Sequence, residues 1–182
     1  MIYQLADGYY VRGLRESDLE GSYLSWFEDQ EVCKYNSHGK FVKNVDWFRA
    51  FYADLNLEDR VVWAICHEDD GHIGNVSLQS ISFINRNAEY AILIGNPKHW
   101  GKSVGLDASL TLLHHGFDKL NLERVYCGTS GSNVGMQNLA KRMGMVEEGR
   151  RRKHLFLNGQ WEEMVEYGVL RDEFKDAQRA KK

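Results

Sequence analysis

Residues 88–105 read AEYAILIGNPKHWGKSVG, and this stretch decides the fold. Its first part, Ala88–Gly95, is dominated by apolar residues and predicts a strand, with burial of both faces over Ala91–Ile94. Pro97 ends the strand, and a glycine-bearing loop follows. Apolar residues then recur at helical spacing and predict a long helix over Val104–Leu120. The stretch is therefore a strand, a loop and a helix.

The segments on either side extend this unit into a sheet. A second strand, Arg124–Thr129, follows the helix, and such a crossover makes the two strands parallel. Elsewhere short turns between strands predict antiparallel pairs, including an Asn158-Gly159 hairpin turn of type I′. The remaining predicted strands are Tyr9–Leu14, Arg60–His67, His72–Ile81, Met145–Leu157 and Gln160–Leu170. The predicted fold is a mixed α/β sheet.

Three more helices are predicted from capping residues and apolar spacing. The run Ser17–Glu20 has the form of a capping box, and apolar residues at helical spacing up to Phe27 predict a first helix there. Asn44 is the predicted N-cap of a second helix. Asn133 is the predicted N-cap of a helix that runs to Met143.

Length, composition and charge restrict the classes of protein. With 182 residues and 12% aromatic residues, the chain suits one folded domain, which we place at residues 1–170 before a charged tail at 171–182. A formal net charge of −3 provides no global basic field, so we expect neither a nucleic-acid nor a membrane partner. Three widely spaced cysteines favour a reducing cytoplasm, and we expect no metal site.

The loop between strand and long helix carries the chemistry. The N–H groups of a first helical turn have no intrahelical acceptor, and glycines let a ligand approach the backbone. This arrangement is typical of a phosphate or pyrophosphate site. The alternative is a helix-entry loop whose glycines serve packing alone. The loop has neither the Walker pattern nor the Rossmann fingerprint.

Two motifs resemble those of a known family. Residues Lys98–Ser103 fit the frame [Q/R]-x-x-G-x-[G/A], with Lys98 in place of Gln/Arg and Ser103 in place of Gly/Ala. Downstream, Asn133, the run 141–145, Glu148-Gly149 and the 156–161 hairpin complete the pattern. Over about residues 8–170 the chain resembles the GNAT superfamily of acyl-CoA N-acyltransferases, in its ribosomal-protein N-acetyltransferase-like branch. The resemblance implies a GNAT-like, mostly antiparallel sheet with a splayed parallel strand pair and helices on both faces.

The resemblance also implies acetyl-CoA as co-substrate, held between the two parallel strands. The backbone of Ile92, Leu93 and Ile94 would pair with the pantetheine arm, and the Asn133 side chain would contact it. The amides of Gly101, Lys102, Ser103, Val104 and Gly105 would hold the pyrophosphate. Lys98, Lys102 and Arg142 are candidates for the phosphates, with solvated helix-end charges as the alternative.

An amine acceptor has to lose a proton to react, since an alkyl ammonium has a pKa near 10.4. Glu89, a carboxylate on an otherwise apolar strand, is the candidate general base; alternatively it only orients the amine or faces outward. Asn36, His38 and Tyr90 are the residues expected to contact the acceptor. Many relatives carry a tyrosine acid where this chain has Ala140, so the general acid stays unassigned, with Tyr167 or water as options.

The expected activity is acetyl transfer to a primary amine of a small molecule, with a nucleotide-linked amino sugar as first candidate. The alternatives are a polyamine, a protein N-terminus, a CoA-binding module without catalysis and an RNA-associated protein that uses the basic run 150–153. We expect a monomer or homodimer.

Overall fold

The computed structural model describes residues 1–41, 43–55 and 58–179, and its framework is one eight-stranded sheet. Its spatial order is β1-β2-β3-β4-β5-β6-β8-β7. Only β5 and β6 pair in parallel; the other neighbours are antiparallel. The strands are β1 (Ile2–Gln4), β2 (Tyr9–Gly13), β3 (Val61–His67), β4 (Gly71–Ser82), β5 (Asn87–Ile94), β6 (Arg124–Ser130), β7 (Val146–Leu157) and β8 (Gln160–Leu170). The predicted fold class is confirmed.

Helices cover both faces of this sheet. They are α1 (Val45–Asp54), α2 (Val104–Asp118), α3 (Val134–Arg142) and α4 (Arg171–Arg179). α2, α3 and α4 contribute to the larger hydrophobic core, whereas α1 contributes Phe48 to a smaller core on the other face. β5 serves both cores, because Tyr90 belongs to the first and Leu93 packs against the second. Alternation along one strand therefore separates the two cores.

The second half of β5 departs from the sequence prediction. Ala91–Ile94 was expected to be buried on both faces, but these four residues are only partly buried. The reason is topological: β5 pairs with β6 only as far as Glu89, and beyond it the two strands diverge. The apolar run therefore lines an opening in the sheet.

The first predicted helix is wrong. Two short 3-10 turns, Glu16–Glu20 and Ser25–Phe27, replace it. The Asp18 carboxylate explains the change, because it accepts hydrogen bonds from the Arg15 amide (2.8 Å) and from the Arg12 guanidinium (two of 2.7 Å). A tertiary ion pair thus fixes this turn in place of a Ser17–Glu20 capping box.

The 3-10 segment packs directly on the end of β5. A Cβ at Gly95 would lie 1.9 Å from a ring carbon of Trp26, far inside van der Waals contact. Trp26 is 4% exposed and stacks edge-on against Tyr23. Only glycine permits this approach, which holds the segment before α1 at the mouth of the opening.

Two elements near the C-terminus complete the structure. Asn158 (φ +50°) and Gly159 (φ +80°) both have positive φ, as the predicted type I′ turn requires. The hairpin tip docks on the 34–40 segment, where Lys40 Nζ donates to Phe156 O and Asn158 Nδ2 donates to Lys34 O at 3.4 Å. The predicted tail forms α4, and its Phe174 is 1% exposed in the core; residues 180–182 lie outside the described residues.

Candidate active site

The opening between β5 and β6 is the centre of the site. The two strands pair at only three positions, of which Glu89↔Tyr126 is the last. Farther along, β5 continues beside β4 to Ile94, and β6 continues beside β8 to Ser130. The edge of β5 over 90–94 consequently has no ladder with β6. The Ile92, Leu93 and Ile94 backbone lies on this edge, where an extended ligand can form the missing hydrogen bonds.

The loop after β5 presents unpaired amides at the start of α2. The first N–H groups of this region with an acceptor in the described chain are those of Leu106 and Asp107, which both bond to Ser103 O (2.9 and 3.1 Å). The amides of 102–105 precede them and have no acceptor among the described residues. They form a helix N-terminus at which an anion is stabilised.

Two glycines leave room beside these amides. Gly101 has φ +72°, and a Cβ there would meet no atom within 4 Å. A Cβ at Gly105 would meet only Ile92 Cδ1, at 4.0 Å. The space in front of the loop and between α2 and β5 is therefore open to a phosphate-bearing ligand, as the resemblance implied for Gly101, Lys102, Ser103, Val104 and Gly105.

The other predicted cofactor residues lie at different distances from this loop. Lys98 Nζ donates to Asp70 Oδ1 at 3.0 Å, so its charge is shared with a carboxylate. Asn133 Oδ1 caps α3 by accepting from Met136 N (3.1 Å), which leaves its NH₂ group as donor to a ligand. Arg142 lies in the last turn of α3, at the end away from Asn133. The phosphate contacts of Lys98, Lys102 and Arg142 stay predictions.

A buried histidine supports the loop from below, a role that sequence reasoning missed. His99 is 2% exposed, its Nδ1 shares a hydrogen bond of 2.8 Å with the Tyr9 hydroxyl, and its Nε2 lies 3.2 Å from Asp70 Oδ2. Burial, followed by the charge of Lys102, lowers the pKa of His99. The side chain anchors the loop to β2 and to the β3–β4 turn.

A cleft of about 480 Å³ adjoins the opening. Glu89 on β5 lies in its wall and is exposed to it. The opposite walls come from the segment 35–40, from the end of β6 and from the β7–β8 hairpin. The cleft thus brings Glu89 together with two other predicted residues, Asn36 and His38.

The three predicted acceptor contacts have different surroundings. Asn36 Oδ1 accepts from His38 N (2.9 Å), and its Nδ2 donates to Val32 O (3.5 Å), so this side chain mainly shapes the loop. The His38 ring lies edge-on to Phe27, and desolvation followed by the charge of Lys43 lowers the pKa of His38. Tyr90 is corrected: it is 2% exposed, and its hydroxyl shares a 2.5 Å hydrogen bond with Ser109 Oγ in the core.

Several cleft residues were not predicted from the sequence. They come from segments that are far apart in the chain and meet only through the docked hairpin; among them are Tyr35, Lys40, Ser130, His154, Phe156 and Met164. The available signal was the position of His154 three residues before the hairpin turn's flanking Leu157, but no local pattern shows which wall a hairpin tip will contact.

Candidates for a general acid remain weak. Ala140 is fully buried in the core. The Tyr167 hydroxyl lies 3.4 Å from Gln137 Oε1, and burial raises the pKa of Tyr167. Cys127 is 2% exposed, and burial, reinforced by the charge of Glu89, raises the pKa of its thiol to about 12. A thiol with that pKa is a core residue at neutral pH, as predicted.

The basic run 150–153 carries counter-charges. Arg150 bonds to Glu147 (2.7 Å) and Glu163 (2.5 Å), and Arg151 bonds to Glu166 (2.6 Å). This pairing lowers the charge offered to RNA. Within the described residues, no helix is long and apolar enough to span a membrane, and no group of three His, Cys, Asp or Glu is placed to hold a metal ion.

Comparisons with known proteins agree with this geometry. The family model of the acetyltransferase (GNAT) domain matches residues 10–146. YdaF of Bacillus subtilis (strain 168), provisionally named a ribosomal N-acetyltransferase, is 31% identical over 131 residues, which are 71% of this chain and 68% of that protein. The spermidine N(1)-acetyltransferase of Vibrio cholerae serotype O1 is 31% identical over 102 residues, 56% of this chain and 58% of that protein.

The solved structures give the same result for the fold. The Vibrio cholerae spermidine N-acetyltransferase in complex with CoA and spermine superimposes with a TM-score of 0.84 at 23% identity, covering 92% of this chain and 98% of that one. The match of the family model covers most of the chain, and its fold and open strand pair are those described above. This chain therefore belongs to the GNAT family of acetyl-CoA-dependent N-acetyltransferases.

Proposed function

We propose that the protein transfers the acetyl group of acetyl-CoA to a primary amine that enters the 480 Å³ cleft and stops at Glu89. One observation carries this proposal: the Glu89 carboxylate lies in the wall of the cleft, at the point where β5 and β6 separate. An amine in the cleft and an extended acyl donor along β5 would meet there.

The chemistry assigns a task to Glu89. Acetyl-CoA supplies an acyl carbon activated by its thioester. The amine nitrogen forms a bond to that carbon, the carbon–sulfur bond breaks, and the sulfur leaves as the thiolate of CoA. Glu89 accepts the proton that the ammonium group must lose, directly or through one water. Backbone N–H groups on the open edge of β5 stabilise the negative charge that develops on the acyl oxygen.

The acceptor is a small-molecule amine in this proposal, and a nucleotide-linked amino sugar remains the first candidate. The cleft supports it through its volume, which exceeds the needs of a simple alkyl amine, and through its aromatic and polar walls. A polyamine is the second candidate, because relatives that are named spermidine acetyltransferases match the chain. A protein N-terminus is the third, since YdaF is named for ribosomal proteins.

The test has two steps. Isothermal titration with acetyl-CoA, with desulfo-CoA as control ligand, measures binding; release of free thiol then measures transfer to each class of amine. Binding at micromolar concentration with thiol release supports the proposal. Binding without thiol release for any amine indicates a CoA-binding module. Absence of binding at millimolar ligand contradicts the cofactor assignment.

A further inference from the structure

The charges in the acceptor cleft are the starting point. Of its lining residues, all described, only Glu89 is a carboxylate, while Lys40 is a cation and His38 and His154 are imidazoles. A cleft built for a polycation would need several carboxylates, since each further ammonium group loses its hydration on binding. This cleft supplies one carboxylate, which the reacting amine itself occupies.

Lys40 is fixed at the rim of the cleft. Its Nζ donates a hydrogen bond to Phe156 O in β7, and it lies 5.9 Å from the centre of the Phe156 ring. In the part of the chain that the structure describes, no carboxylate forms an ion pair with this ammonium group. An ammonium group has three N–H donors, so two remain after the bond to Phe156. Lys40 is thus an oriented positive charge without a counter-ion.

His154 extends this positive rim along the same strand. It lies two residues before Phe156 on β7, and both residues line the cleft. Imidazole nitrogens donate hydrogen bonds to phosphate or carboxylate oxygens. The rim therefore offers donors from two strands of chain, whereas Glu89 lies in the wall formed by β5.

We propose that the acceptor is an amine that also carries an anionic group, a phosphate or a carboxylate, which Lys40 and His154 bind while the amine lies at Glu89. This inference rests on the proposed function and names the acceptor class for the same site. It predicts that the protein discriminates against polyamines, in contrast to the activity named for its spermidine-acetylating relatives.

Matched pairs of amines test the anionic group. Glucosamine is compared with glucosamine 1-phosphate and with a nucleoside-diphosphate amino sugar, and 1-aminobutane is compared with 4-aminobutanoate; spermidine represents the polycations. Initial rates of thiol release give kcat/KM for each amine at saturating acetyl-CoA. We expect the anionic member of at least one pair to exceed its neutral partner by at least about 10-fold, the size of one hydrogen bond to a charged group. The phosphate and carboxylate pairs separate the two sources of charge.

Variants of Lys40 locate the effect. Lys40→Gln keeps a donor for Phe156 O but removes the charge, and we expect it to abolish most of the preference through a higher KM for the anionic amine. Lys40→Arg restores the charge and should restore the preference. Lys34→Gln is the matched control: Lys34 lies in the same segment, pairs with Glu31 (3.7 Å) and does not line the cleft. We expect it to leave the preference unchanged.

The outcomes separate this inference from the proposed function. Spermidine as best acceptor, or an anionic preference that survives in Lys40→Gln, would overturn the inference while leaving N-acetyl transfer intact. If no amine releases thiol, equilibrium binding of glucosamine 1-phosphate and 4-aminobutanoate still decides. Binding of either that is about 10-fold weaker in Lys40→Gln than in wild type supports the anionic site even though transfer fails; equal binding refutes it.

Discussion

Glu89 is the residue on which the proposed chemistry depends. It lies on the wall of the cleft at the last paired position of β5 and β6. An amine at neutral pH is mainly protonated, and a base that removes the proton contributes about 10²–10⁴ in rate. We expect Glu89→Gln to lower kcat by that factor near pH 7 and to leave the affinity for acetyl-CoA within about 2-fold of wild type.

The pH profile distinguishes a base from a packing residue. The deficit of Glu89→Gln should shrink as the pH approaches the pKa of the amine, about 10.4 for an alkyl amine, because the acceptor then loses its proton without help. Thiol-release rates between pH 6 and pH 10 provide the measurement. Glu20→Gln, at an exposed carboxylate outside the cleft, serves as the control. A deficit that is constant across this range would remove Glu89 as the base.

Asp18 is the corresponding residue for stability. Its side chain is 5% exposed and forms two 2.7 Å bonds to Arg12. Burial opposes ionisation, but the hydrogen bonds from Arg12 and the Arg15 amide outweigh it and hold the pKa of Asp18 below its ordinary value. We expect Asp18→Asn to lower the free energy of unfolding by about 3–5 kcal/mol at pH 7, because Arg12 loses its buried partner.

The pH dependence follows from the direction of that pKa shift. A carboxylate whose pKa is lowered in the folded state stabilises the fold above its unfolded pKa of about 3.9, and loses this contribution as the pH falls through the folded value. Urea denaturation at pH 7 and pH 3 should therefore show a smaller gap between wild type and variant at pH 3. Asp46→Asn, at an exposed pair with Arg49, should change stability by less than about 0.5 kcal/mol. A gap of equal size at both pH values would contradict the role of Asp18 ionisation.

Single residues were predictable where one local pattern determined their surroundings. Glu89 stands out as the charge in an apolar strand, and strand alternation explains why it faces the cleft while Tyr90 faces the core. That alternation also shows why Tyr90 is not an acceptor contact. Lys40 was not predictable, because its place in the cleft depends on the docking of a hairpin more than a hundred residues away.

At the scale of elements, the turn from β5 into α2 can be tested by filling its open space. A Cβ at Gly105 would meet only Ile92 Cδ1, at 4.0 Å, and the backbone there is helical with no positive φ. Valine has a slightly better helix propensity than glycine, so Gly105→Val should leave the melting midpoint of the unliganded protein unchanged or raised. Its side chain would occupy the space beside the free amides, and we expect the affinity for acetyl-CoA to fall by at least about 10-fold.

Isothermal titration together with thermal melting checks this prediction. Gly105 is a better test than Gly101, where φ +72° would strain valine and confuse loss of binding with loss of structure. Gly13→Val is the control, because a Cβ there meets no atom within 4 Å and the residue lies on β2. Unchanged affinity in Gly105→Val would count against binding at this helix N-terminus.

The elements themselves were predictable to the extent that local sequence controls them. α2 and the β7–β8 hairpin have strong internal signals, in the apolar stripe and in Asn158-Gly159, and the structure confirms both. The segment 17–27 has helical spacing as well, but the buried Arg12–Asp18 pair and the contact of Trp26 with Gly95 override it. β1 was missed, because three residues at a sheet edge are too few to show a period.

On the scale of the whole molecule, the sheet consists of two parts joined by a short seam. β1 to β5 form one antiparallel part and β6, β8 and β7 form the other, and three register pairs between β5 and β6 connect their ladders. The seam is short because the strands must separate to leave room for a ligand. A ligand that bonds to the free edge of β5 and lies beside β6 would extend the contact between the two parts.

This arrangement predicts that acetyl-CoA stabilises the entire fold. A ligand that binds only the folded state adds RT ln(1 + [L]/Kd) to the free energy of unfolding, about 2.7 kcal/mol at a hundred times Kd. For a chain of this size each kcal/mol raises the melting midpoint by about 2–4 °C, so we expect a rise of roughly 5–11 °C. Thermal melts at a series of acetyl-CoA concentrations provide the measurement. Gly105→Val should show a smaller rise at equal ligand concentration, whereas Gly13→Val should match wild type. A midpoint that stays constant at millimolar acetyl-CoA would show that the seam between β5 and β6 is not where the ligand binds.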